Sequence, residues 1–226
     1  MQSSEPATKL YSIDDVKHAI LSVQQEPEYE SSLHKLLTPK VTLLKSMLRL
    51  NEGREFEQLT QFIQAYIDRC PDCLELCQEL AAKTFIEPFT HLYIHAATEY
   101  FLDAHPVINS LSGNHAFLCR AYLCHRMLEE LNDQVMLERR WPLAPVDMSH
   151  VNLIVHTLIG DEQANLLDQT ILIRMELIRS QLNEDEKTVF QQEKSQQQLA
   201  LLCQQGWKET KEQWPFLNED IAAAIL

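Results

Sequence analysis

The chain has 226 residues, 45% of them hydrophobic and 23% charged, which suits one ordinary globular domain or one domain with a helical tail. Nineteen basic residues face 33 acidic ones, for a net charge of −14. A nucleic-acid or anionic-membrane partner needs a basic face to release counterions, so neither is expected. Only four glycines are present, where about sixteen would be usual. They are spread along the chain, so there is no phosphate-cradling loop, no dinucleotide fingerprint and no Gly-x-Ser-x-Gly elbow.

In chain order, the spacing of apolar residues predicts helices over 12–24, 29–37, 38–50, 54–69, 70–83, 87–104, 115–140, 147–159 and 161–182. Ser12, Asp147 and the Thr38-Pro39 pair read as helix starts, and Gly160 as a helix end. The Cys70-Pro71 pair reads as a helix start as well, because proline is tolerated in a first turn and disfavoured further in. Asn183-Glu-Asp-Glu186 has the form of a capping box. No alternating strand pattern persists and no repeat stands out, so the expected fold is all-α. It should be a multi-helix bundle of roughly nine to eleven helices with one globular core.

Residues 1–182 form the expected core domain, and 183–226 a helical tail. The tail opens on a run of eight polar residues at 191–198 and continues through Leu199, Leu202, Trp207, Trp214 and an apolar end. It is expected to dock on the core or to mediate a homodimer. Residues 1–8 are polar and show no secretory signal, and no apolar run approaches the length of a membrane span. A cytoplasmic setting with free thiols at all six cysteines is the matching expectation.

Lysine and arginine are missing from 84–119 and from 141–173, where an even spread would place about six. Long cationic side chains normally coat surface helices, so these stretches are expected to lie centrally. They nevertheless hold six of the nine histidines and many carboxylates. Within the first, Glu87, His91, His95, Glu99 and Asp103 step by four, which keeps neighbours on one helix face. On the next helix, His125 and Glu129 occupy the polar middle of an otherwise apolar line.

If these two helices are antiparallel neighbours, His91, His95, His125 and Glu129 converge, with Glu99 or Glu87 completing a site. Facing helices hold iron, manganese or zinc in this way, and a metal-binding protein of the non-haem type, with oxidoreductase chemistry among its readings, is the first functional expectation. The same arc also fits a solvent-facing helix. His91-Leu-Tyr-Ile-His95 has leucine where a zinc-protease helix has glutamate, and Asp15-x-x-His18 and Asp147-x-x-His150 have aspartate in place of the di-iron glutamate. His156 with Asp161 and Glu162 forms a looser second cluster.

The second expectation is a non-enzymatic interaction or structural module assembling through 183–226. The third is thiol redox at Cys70-x-x-Cys73, since a helix start favours the thiolate. That setting resembles the alkylhydroperoxidase D type of all-α protein over some twenty residues. The positions of that family's helper glutamate and histidine are Gln58 and Cys77 here, so its peroxide chemistry does not carry over. The sequence leaves any small-molecule ligand unidentified.

Overall fold

A computed structural model describes residues 11–48, 50–103, 105–109, 111–144, 148–188 and 197, 198 and 201. Among these residues all regular structure is helical, in one globular arrangement without strands. The order is α1 (Ile13–Gln24), α2 (Tyr29–Leu37), α3 (Val41–Leu48), α4 (Glu55–Lys83), α5 (Glu87–Leu102), α6 (Gly113–Arg139), α7 (Ser149–Ile159), α8 (Asp161–Gln181) and α9 (Glu184–Thr188). None of these helices is long and apolar enough to cross a membrane.

Three helices make the centre. α4, α5 and α6 pack on one another, α1 and α2 lie against them, and α7 and α8 cover α6. Tyr66, Tyr93, Tyr122, Phe62 and Phe101 are fully buried between them. The Lys/Arg-free α5 is central as expected, touching α4, α6, α1 and α8.

Several boundaries follow local signals. The Ser12 hydroxyl accepts from the Asp15 N–H at 3.2 Å and the Asp15 carboxylate accepts from the Ser12 N–H at 2.8 Å, a complete capping box. Asn183 and Glu186 exchange the same pair of bonds, each 2.8 Å. Gly160, at φ +102, ends α7 and precedes α8. Thr38 closes α2 instead of opening α3, its hydroxyl donating back to the His34 carbonyl at 2.7 Å. The Asp147 cap lies outside the described residues.

Two places depart from the sequence expectation. α4 runs unbroken through Pro71, so Cys70-x-x-Cys73 lies mid-helix and not at a helix start. A proline inside a helix forfeits one hydrogen bond. The apolar stripe through Leu59, Ile63, Tyr66, Ile67, Leu74 and Ala81 is buried on both sides of it, which holds the two halves in line. The α4–α5 joint is the second. Phe85 sits at φ 61, with its N–H on the Ala82 carbonyl at 3.3 Å and the Ile86 N–H on the Ala81 carbonyl at 3.1 Å. That is a Schellman closure with phenylalanine at the left-handed position where glycine is usual.

Gly113 is a glycine for two reasons. Its φ is +58, and a Cβ there would stand 2.5 Å from the Ser32 hydroxyl of α2. The same hydroxyl accepts from the Asn114 N–H at 3.0 Å, and Asn114 Nδ2 donates to the Tyr29 carbonyl at 2.5 Å. Gly113→Ala therefore strains the left-handed backbone and turns the Ser32 hydroxyl away from its bond with the Asn114 N–H. It is expected to lower stability by about 1–2 kcal/mol in urea unfolding. An unchanged midpoint would show that this junction is not close-packed.

Candidate functional site

The five residues expected to converge lie in three different places. His91 and His95 line an open groove of about 510 Å³ between α1, α4 and α5, together with Asp14, Glu75, Glu87 and Thr98. Tyr11 donates to the Asp103 carboxylate across α1 and α5. Lys17 is bound to Glu75 and so neutralises one carboxylate of the groove. The His91 Nδ1–H donates to the Pro88 carbonyl at 2.8 Å, leaving Nε2 as the bare nitrogen.

His125 and Glu129 point elsewhere. His125 is 1% exposed and packs on the α4 side, its ring 4.4 Å from that of Tyr66. Nε2–H donates to the Tyr66 carbonyl at 2.9 Å and lies 3.3 Å from the Cys70 sulfur. Nδ1 is buried without a partner among the described residues. Burial pushes the imidazole down to about 4, against the opposing influence of the Tyr66 carbonyl and the Glu129 carboxylate.

The reason for the divergence is angular. The α5–α6 ring contact is Phe101 on Phe117. At 100° per residue, His125 lies about 80° and Glu129 about 120° round α6 from Phe117. His91 and His95 are about as far round α5 from Phe101, so neither pair faces the other.

Glu129 instead belongs to a polar network between α4, α6, α7 and α8. It accepts from Arg126 at 2.5 Å, from Ser149 at 2.9 Å and from Asn152 Nδ2 at 2.5 Å, and the Asn152 oxygen accepts from the buried Tyr66 hydroxyl at 2.7 Å. Arg126 also binds Glu130 at 2.9 Å and Asp168 at 3.2 Å, and Asp168 accepts from Tyr122 at 3.0 Å. Burial opposes the charge on Arg126, yet Glu129, Glu130 and Asp168 more than compensate and raise its pKa. The one readable sign of this network was the i,i+3 and i,i+4 spacing of Arg126, Glu129 and Glu130. Asp168, Asn152 and Tyr66 had no local sign.

Glu99 pairs with Arg174 of α8 at 2.6 Å. The pair lies in a second groove of about 390 Å³ between α5 and α8, beside Tyr100, His105, Ile173 and Leu177. His156 is 3.6 Å from Asp161, 3.3 Å from Asn165 and 3.9 Å from Asp168, a loose set around the α7–α8 corner. Among the described residues, no group of three or more His, Cys, Asp or Glu side chains is arranged to hold a metal ion.

Cys70, Cys73 and Cys77 are buried with Cys124 of α6, as free thiols. Desolvation pushes the Cys70 and Cys73 thiols well up and Cys77 up to about 12. A reactive cysteine needs the reverse shift. The neutral His125 beside Cys70 cannot supply it, since a thiolate–imidazolium pair requires a protonated ring.

In comparisons with known proteins, no family model, no curated protein and no solved structure matches the chain.

Proposed function

We propose that the chain is a non-enzymatic helical interaction module that pairs with a second copy of itself through α8, with residues 183–226 adding to the contact. The supporting observation is a second apolar stripe on α8. Ala164, Leu167, Ile171, Met175 and Ile178 are buried against the bundle. Leu166, Ile173 and Leu177 lie on another face at 44%, 62% and 50% exposure, with Thr170 between them. Leu172 and Leu153 of α7 are also exposed.

The stripe 166, 170, 173, 177 steps by four, three and four, which is coiled-coil seam spacing. It reads the same in both directions. An antiparallel copy would set Leu166 on Leu177 and Thr170 on Ile173, the self-complementarity that a two-fold interface needs. The largest apolar patch on an ordinary monomer covers roughly 300–600 Å², whereas a stable dimer buries about 800 Å² per partner. The stripe thus suits the centre of an interface, and Leu199, Leu202, Trp207 and Trp214 of the tail suit its completion. The buried Cys70, Cys73 and Cys77 thiols, held up by desolvation, do not favour thiol chemistry as a rival reading. Free buried thiols fit a cytoplasmic setting.

Sedimentation equilibrium over a wide concentration range tests it. The parent chain is expected to dimerise, and Ile173→Glu/Leu177→Glu to remain monomeric with an unchanged helical spectrum. Truncation at Asn183 should weaken association without abolishing it. A parent that is monomeric at every concentration, or a double variant that dimerises like the parent, would overturn the proposal.

A further inference from the structure

We infer that His91 and His95 form an exchangeable binding site for a divalent transition-metal ion of the zinc, copper or nickel class, in the groove between α1, α4 and α5. Histidines four apart on a helix present their rings on one face and can share one ion. This is the one His-x-x-x-His spacing in the sequence. Both rings line the 510 Å³ groove.

The His91 ring is anchored to its own helix. Its Nδ1–H is held by the Pro88 carbonyl at 2.8 Å, which fixes the tautomer with a lone pair on Nε2. Metal-ligating histidines are commonly anchored in just this manner, the other ring nitrogen donating to a backbone carbonyl. Glu87 stands one step earlier in the same row, and Asp14 of α1 is in the same lining, so anionic groups are at hand. Lys17 is held by Glu75 and stands 3.9 Å from Asp14.

No third protein ligand is in place among the described residues. An ion here keeps several positions for water, which makes it exchangeable instead of structural. Neutral imidazole ligands favour zinc, copper and nickel over magnesium and calcium. The site is independent of the α8 stripe, since α8 meets α5 through Glu99 and Tyr100 beside the other groove.

Isothermal titration of the full, tag-free chain with Zn²⁺ alone, repeated with Ni²⁺ and Mg²⁺, tests the inference. One Zn²⁺ per chain is expected and no Mg²⁺. His91→Ala or His95→Ala should each weaken Zn²⁺ binding at least tenfold, and the pair should abolish it. His18→Ala should leave it unchanged. His91 is exposed and His95 partly so, and an unchanged circular dichroism spectrum would certify that the variants fold. Absence of Zn²⁺ binding to the parent, or parent-like binding by the double variant, would overturn the site. The second outcome would place the ion on other histidines.

Discussion

Arg126→Met is expected to cost about 3–5 kcal/mol at neutral pH, because it removes the guanidinium from a partly buried cluster of three carboxylates. Glu129, Glu130 and Asp168 keep 14%, 20% and 31% of their side-chain surface. Left without the guanidinium, they repel one another in a setting that water screens poorly. Tyr122 and Asn152 donate to two of them and would lose their alignment as the carboxylates part. Arg126→Lys should fall between parent and Met, since one ammonium cannot reproduce three directed bonds to three acceptors.

The salt dependence separates repulsion from lost packing. Mobile ions screen repulsion among the carboxylates and leave packing largely untouched. The deficit in urea unfolding should therefore shrink as ionic strength rises. A deficit below about 1 kcal/mol, or one that does not change with salt, would mean that the cluster is solvated enough to need no cation.

The Arg126 cluster also explains what could and could not be read in advance. Helix content, and the breaks at Ser12, Gly160 and Asn183, depend on contacts within a few residues, and such signals are local. Pro71 misled because its local cost is overridden by an apolar stripe buried on both sides of it. The Phe85 turn carried no signal, since a glycine-poor chain has placed a bulky residue where the left-handed conformation is needed. His91 and His95 share one face, as their spacing implied. Whether that face meets His125 and Glu129 depended on the rotation of two helices about their axes, and spacing along one helix does not contain that angle.

The carboxylates that lacked local cations were another long-range matter. Glu99 is matched by Arg174, 75 residues away, and Asp168 by Arg126, 42 residues away. A cation-free stretch marked a central position at α5 but not at 141–173, where α7 and α8 form an outer layer on α6 with Leu153, Leu166 and Leu172 exposed, and the charge balance was supplied from beyond each stretch.

His125 should make the protein acid-sensitive in a defined window. Its pKa falls from an ordinary 6.5 to about 4 in the folded state, chiefly because burial penalises the charged ring. Above pH 6.5 the ring is neutral in both states and contributes no pH dependence. Between 6.5 and about 4 the unfolded chain takes up a proton that the folded chain refuses, so stability declines as pH falls. Below about 4 the folded ring protonates as well and the loss levels off. The full decline amounts to about 3 kcal/mol.

Other groups titrate over the same range, so the diagnostic quantity is a difference between two proteins. Burial lowers His105 and His115 too, which adds a decline of the same sign, while Asp68 and Asp72 are raised by desolvation and oppose it at lower pH. All four remain in His125→Gln. Its amide can still donate to the Tyr66 carbonyl but takes up no proton. The variant should be less stable than the parent at pH 7, through imperfect packing against Tyr66 and Cys70, and should close on the parent as pH falls to 4.5. Parallel stability curves for the two proteins across that window would mean that the His125 ring is hydrated and titrates normally. That result would also reopen Cys70 as a thiol with an ionisable neighbour, since a protonated imidazole 3.3 Å from the sulfur would favour the thiolate.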